Sequence, residues 1–351
     1  VKLIITTIFV LTSLVSFGQS PVLDDLWKLY GSRDYDKVIE KAKPHLDNDS
    51  IKVDLNLLLG RTYADKADFK TAIPFLEYTV NNTPDNSWRK AWALGYLGAC
   101  QFMLQNYNDS RKVIKECFDL NTTKNVSRYA YSKILLFGFD DFYKDWKIVE
   151  SEHFRFHFQH MDDSDIESYI ASREAAFQNI NIFFDSELPK KIDFFVWNSK
   201  EDAKELLRTN LGFADPHFCI VHSHYQQTIG HEMTHVISNY STNMIQKTGL
   251  INEGTSVCFD QTNQDKEQIV KDWLKNNDKK LTISDIWTNW KNYPDELTYP
   301  LAGLFVKELI DNFGKEQFIE FFSNQTYDNA KSVFGDKLDK LINDFENEIN
   351  I

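Results

Sequence analysis

The chain has 351 residues, 42% hydrophobic and 14% aromatic, which is enough apolar surface for a sizeable core and enough length for two domains. That composition excludes an intrinsically disordered protein. The formal net charge of −13 argues against nucleic acid or an anionic membrane surface as the main partner, because both repel an acidic protein.

Residues 1–18 read as a signal peptide. Lys2 opens it, Leu3 to Phe17 is apolar, and Ser16 and Gly18 are the small residues before a cut ahead of Gln19. The run is shorter than the ~18–20 residues a spanning helix needs. The expectation is an exported protein, periplasmic or secreted, with no stable membrane insertion after cleavage; an uncleaved anchor is the alternative.

Residues 22–145 carry helical periods and little strand character. Asp34-Tyr35, Asp68-Phe69 and Asn106-Tyr107 each place a polar residue and an aromatic at a helix start, 34 and 38 residues apart. Leu57, Leu58, Gly60, Tyr63 and Ala64 precede the second mark, and Trp92, Gly95, Leu97 and Ala99 the third. Small residues in one helix and an aromatic opening the next resemble tetratricopeptide repeats. The resemblance implies a helical stack with a concave surface for a protein or peptide partner, a purely structural extension being the alternative. Arg128 to Asp141 is expected to cap the stack, because terminal repeats must cover an apolar face.

Residues 146–351 change character. Phe154, Phe156 and Phe158 alternate with Arg155 and His157, the period of a strand with one buried face, and the histidines are expected on its solvated side. Asp162 to Asp185 reads as an amphipathic helix, Lys191 to Trp197 as a strand, and Ser199 with Asp202 as a capping box. A strand from about His217 ends near His222 and His224, which either assist substrate binding or face solvent. A helix is then expected over Gln226 to Tyr240. Four cysteines remain: Cys100 with Cys117 and Cys219 with Cys258 form two disulfides, or all four are buried thiols.

The helix over Gln226 to Tyr240 carries His231-Glu232-Met233-Thr234-His235. Residues four apart share a helical face, so His231 and His235 can present two imidazoles to one metal ion. Glu232, one position round, reaches a bound water without being a ligand, as a general base must. Two imidazoles leave such an ion under-coordinated, and Glu253, after seventeen intervening residues, is the candidate third ligand.

The stretch Leu250-Ile251-Asn252-Glu253-Gly254 behind this motif resembles the gluzincin peptidases, in particular the aminopeptidase-like superfamily. The likeness runs from Trp146 to the C-terminus and includes Tyr299-Pro300-Leu301-Ala302-Gly303 and Val333-Phe334-Gly335-Asp336. It implies one zinc ion on His231, His235 and Glu253, Glu232 as general base, and a peptide or protein substrate. It also implies Tyr299 as oxyanion donor, with Tyr293 and His224 as rivals, and substrate laid along the strand before the metal helix, as on an edge. The spacing to Glu253 is one residue shorter than in the aminopeptidase branch, and no Gly-x-Met-Glu-Asn stretch is present. An endopeptidase is therefore favoured over an aminopeptidase. A non-catalytic module that binds peptides on the same fold is the alternative.

Beyond Trp290 the chain reads as helical, with one helix through Leu301, Phe305 and Leu309 stopped by Gly314. The expected class is α+β, mostly α: a helical repeat followed by a peptidase-like domain with a small sheet and a helical C-terminal lobe.

Overall fold

Tyr35, Phe69 and Tyr107 each stand at the first position of a helix, and the turn before each is built alike. Arg33, Ala67 and Gln105 take left-handed φ values of 61°, 62° and 63°. The next amide reaches back to the preceding helix: Asp34 to Leu29 O, Asp68 to Tyr63 O and Asn106 to Gln101 O, all at 2.9–3.0 Å. This is the Schellman closure of a helix C-terminus, with non-glycine residues in the left-handed position. Asp34, Asp68 and Asn106 are then the N-caps of the following helices.

The computed structural model describes residues 20–349, so the signal-peptide reading of residues 1–18 lies outside it. The fold is α+β and mostly α: among the described residues it has sixteen α-helices and one five-stranded sheet. The described residues divide into two compact units, with the division between Ala130 and Tyr131. In the first, α1 (Pro21–Gly31), α2 (Tyr35–Ala42), α3 (Lys52–Asp65), α4 (Phe69–Asn81), α5 (Trp88–Met103) and α6 (Tyr107–Leu120) each pack against the helices next to them in sequence. The Arg61 guanidinium on α3 lies 4.9–5.2 Å from the rings of Trp27, Tyr30, Trp92 and Tyr96, tying α1, α3 and α5 together. The division falls inside α7 (Lys124–Leu136), earlier than the boundary after residue 145 expected from sequence. The reason is that residues 136–146 cover the sheet of the second unit.

That sheet comprises β1 (Lys147–Glu150), β2 (Phe154–Phe158), β3 (Ile192–Trp197), β4 (Phe213–Asp215) and β5 (Ile220–His224) in the order β1-β2-β3-β5-β4. The inner pairs are parallel and both outer pairs antiparallel. Phe154, Phe156 and Phe158 pack against Tyr169 and Phe177 of α8 (Asp163–Phe184). After β3, Ser199 accepts from the Asp202 amide at 3.0 Å and opens α9 (Lys200–Leu207), but only this half of the expected capping box forms: the Ser199 amide donates to Gln159 Oε1 at 3.1 Å, and the Asp202 carboxylate accepts from Gln159 Nε2 at 2.8 Å.

The other sheet face is buried as well, which corrects the solvated side expected for His157; His153, just before β2, is half-buried, and His160, just after it, is exposed. His157, Phe195, His222 and Phe213 stack across four strands at 4.1, 4.3 and 5.0 Å with nearly parallel planes. Tyr143 and Trp146 cover Phe195. His222 Nε2 donates to Leu136 O at 3.0 Å, and its Nδ1 accepts from the Trp197 indole at 3.1 Å. Burial pushes its pKa down to about 3, so it is neutral and structural. Polar–apolar alternation marks one buried face; it cannot report a distant segment covering the other.

A charged cluster makes this burial tolerable. Asp193 is fully buried and accepts from Lys190, Arg155 (3.0 Å) and His157 (2.8 Å). One further expectation changes. The strand before the helix carrying His231 is interior, and the edge strand beside it is β4, whose three residues are too few to show a strand period. Of the two readings of the cysteines, the thiols hold: all four are free, Cys100, Cys117 and Cys219 buried and Cys258 half-buried, with Cys117 donating to Ala91 O at 3.0 Å. Burial pushes Cys100 and Cys117 up to about 12 and Cys219 and Cys258 up to about 11.

Behind the sheet, α10 (His231–Asn239), α11 (Gly249–Cys258), α12 (Lys266–Asn277), α13 (Ile283–Asn289), α14 (Asp295–Phe322), α15 (Tyr327–Phe334) and α16 (Lys337–Ile349) follow. All but α10 enclose a core that includes Leu250, Trp287, Phe305, Phe318 and Phe345. α14 breaks at Gly314 (φ 81°, ψ 168°), where the sequence places a helix end.

Burial alone would raise the Asp193 carboxyl, but Lys190, His157 and Arg155 hold it well below its ordinary value. A carboxyl lowered by folding stabilises the protein above its unfolded pKa near ~3.9 and loses that contribution as pH falls through and below it. Asp193→Asn strands the Lys190 ammonium and should cost about 3–5 kcal/mol. Urea titrations at neutral pH and from about pH 5 downward check this; the variant should show the shallower acid loss.

Candidate metal centre

Gly230 decides where the helix carrying the histidines begins. Its φ is +101°, and a Cβ there would lie 2.8 Å from Phe259 O, so glycine alone fits against the end of α11. α10 therefore starts at His231, five residues later than the start expected at Gln226. Thr234 donates back to Gly230 O at 2.8 Å and closes the first turn.

His231 and His235 then face one way, with ring centroids 5.1 Å apart. Glu253 comes from α11, with its Oε2 at 3.6 Å from His231 Nε2 and 3.4 Å from His235 Nε2. The three ligand atoms lie within 4.8 Å of one another. A tetrahedral ion with bonds of about 2.0–2.1 Å separates its ligands by roughly 3.3–3.4 Å, so the donor set fits a metal ion with little movement. His235 Nδ1 meets Ser256 Oγ at 3.0 Å and the Asn252 side-chain amide at 3.2 Å. With the proton on Nδ1 donated to the Ser256 hydroxyl, Nε2 keeps its lone pair for a cation.

The electrostatics agree with a cation site. Burial would push His231 down, but the hydrogen bond to Glu253 and the charges of Glu232, Glu253 and Asp260 outweigh it and raise its pKa. Burial likewise opposes ionisation of Glu253, yet His231 and His235 hold it far below the usual carboxylate range.

Glu232 differs. It is only 7% exposed, burial raises its pKa, and its carboxylate has no hydrogen-bond partner among the described residues. Gly212 lies against it: a Cβ there would come 2.2 Å from Gln227 Nε2 and 2.8 Å from Glu232 Oε1. A buried carboxylate beside a cation site, free to accept a proton, has the character of a general base.

These groups line a cleft of ≈590 Å³ bounded by β4, α10, α11 and the start of α14. Tyr299 reaches it, its ring 6.0 Å from that of His231 and its hydroxyl within the electrostatic reach of Glu253. Burial first, and then neighbouring carboxylates, raise its pKa well above 10, so it stays a neutral donor. The rivals stand elsewhere. Tyr293 donates to Asp285, and His224 is buried at the sheet end, taking the Gln226 amide at 3.3 Å.

Sequence reading missed Gly212, Ser256, Lys247 and the Asp260–Lys266 pair (3.0 Å), all of them at the centre or its cleft. Ser256 stands three residues after Glu253, on the same side of a helix, which is the one local signal among them. A second group, Glu152, His153 and Glu174, also lies within 4.8 Å, but is more exposed and already joined by the 2.6 Å contact between His153 and Glu174. Compared with protein-family models and with curated proteins, the sequence matches none.

Chelator-competition titration of purified protein with zinc or cobalt should show one ion per chain. Ser256→Ala should weaken binding ~10–100-fold and Glu253→Ala by more. Equal affinity of wild type and Glu253→Ala would overturn this assignment.

Proposed function

We propose that the chain is an exported zinc-dependent hydrolase of peptide bonds, an endopeptidase in preference to an aminopeptidase, with its helical repeat unit serving a protein partner. The observation that carries the reading is the meeting of His231, His235 and Glu253 beside an unpartnered, buried Glu232 at the wall of a large cleft. Two imidazoles and one carboxylate are a zinc donor set that leaves a coordination position open. Zinc, when bound, supplies a Lewis acid for a carbonyl and lowers the pKa of a water towards ~7.

The residues of the chain divide the remaining work. Glu232 takes a proton from the attacking water as the new C–O bond forms. It then returns that proton to the amine nitrogen as the C–N bond breaks. Its raised pKa suits it to both transfers. Tyr299, which lines the same cleft, donates its Oη–H to the carbonyl oxygen as negative charge develops there. The β4 edge lines the cleft, and an extended peptide can pair with such an edge through backbone hydrogen bonds, which supports a polypeptide substrate over a small molecule. Support for export is the apolar run Leu3 to Phe17.

The test is Glu232→Gln. Cleavage of a peptide library should fall ~10²–10⁴-fold while zinc stoichiometry stays at one. Gly212→Ala, which pushes on Glu232 without touching a ligand, should lower kcat with metal retained. Full activity in Glu232→Gln, or cleavage insensitive to chelation, would sink the proposal.

A further inference from the structure

The charges lining the cleft do not cancel once a cation is held there, and the residue left over is Lys247. Lys266 is paired with Asp260 at 3.0 Å. Glu253 lies between the two imidazoles, and Glu232 stands beside them. Lys247 also lines the cleft, yet its ammonium has no ion pair or hydrogen bond among the described residues. The acid whose charge acts on it is Glu253. A cation on His231, His235 and Glu253 takes up that carboxylate, leaving Lys247 at the wall of the cleft without a counter-charge.

Lys247 also starts from a fixed backbone. On one side, Gln246 O accepts from the Gln325 amide at 2.9 Å. On the other, the Thr248 amide donates to Gln325 Oε1 at 2.9 Å and its hydroxyl to Gln325 O at 3.2 Å. Gln325 is fully buried, and its carbonyl also takes the Trp287 indole at 2.8 Å. Both neighbours of Lys247 are thus clamped to the core of the helical lobe. The side chain is exposed to solvent but springs from a fixed origin, which lowers the entropy cost of holding a partner.

We propose that Lys247 is a specificity-determining residue that binds a carboxylate of the substrate, so that the cleft selects peptides bearing an acidic side chain or a free C-terminus near the bond to be cut. The proposal rests on the peptide reading of the cleft given above. A single ammonium is a point charge suited to a monoanion, and no arginine lines the cleft to give the bidentate grip that phosphate recognition favours.

Zinc-loaded Glu232→Gln protein binds without turnover, so affinity can be read by calorimetry. The probes are N-acetylated hexapeptides in which one glutamate replaces glutamine at each position in turn, C-terminally amidated, and the all-glutamine peptide with a free or amidated C-terminus. One carboxylate-bearing peptide should bind about tenfold or more tightly than the all-neutral one, the size of a charge-assisted hydrogen bond. Which peptide it is tells side chain from C-terminus. Adding Lys247→Met should bring the ratio near one, and Lys247→Glu should invert it, with zinc affinity measured alongside as a check on folding. Carboxylate and neutral peptides binding alike, or a preference that survives Lys247→Met, would overturn the proposal. Failure of every peptide to bind would overturn it together with the peptidase reading. A Lys247-dependent preference in a wild-type protein that cleaves nothing would leave this proposal standing and remove only the catalytic one.

Discussion

The close crossing of α11 and α14 is the constraint on which the candidate centre depends. A Cβ at Gly254 would lie 2.5 Å from Ala302 O, and one at Gly303 would lie 2.5 Å from a Val257 methyl, so each helix presents a glycine to the other. Glu253 sits next to the first glycine, and Tyr299 stands about one turn before the second. Their separation is set by backbone contact, with buried Leu250, Ala302, Phe305 and Val306 packed around it. Gly230 against Phe259 O does the same for α10 and the two histidines. Donor atoms carried on close-packed helices cannot drift apart without moving a core, and a metal or catalytic site needs that preorganisation.

Two buried carboxylates in the same unit show how environment separates structure from chemistry. Asp193 is surrounded by Lys190, Arg155 and His157, so its charge is satisfied and its protonation is locked. Glu232 is nearly as buried, lacks a hydrogen-bond partner among the described residues, and has its pKa raised. The first arrangement opposes proton transfer and the second favours it. Residue type alone does not distinguish them.

The histidines teach the same lesson. His231 and His235 reach the cleft through a helical i, i+4 relation, whereas His157 and His222 are stacked with Phe195 inside the covered face of the sheet. The first relation is local and can be read from five consecutive residues. The second depends on residues 136–146 folding over strands that follow them, and no window of sequence around His222 contains that segment.

What the sequence by itself determined are the features set by chain-local physics. The three hairpin turns are marked by Asp34-Tyr35, Asp68-Phe69 and Asn106-Tyr107, the start of α9 by Ser199, and the break in α14 by Gly314. The pairing of His231 with His235 belongs here too, because helical geometry fixes it within two turns. Only the tertiary structure decided the rest: Glu253 meeting both histidines, β4 as the edge, free thiols, Gly212 against Glu232, and Lys247 clamped at the cleft wall. These depend on contacts between segments tens of residues apart, where the outcome turns on packing volume and on which face another element covers. Local periodicity carries no record of either.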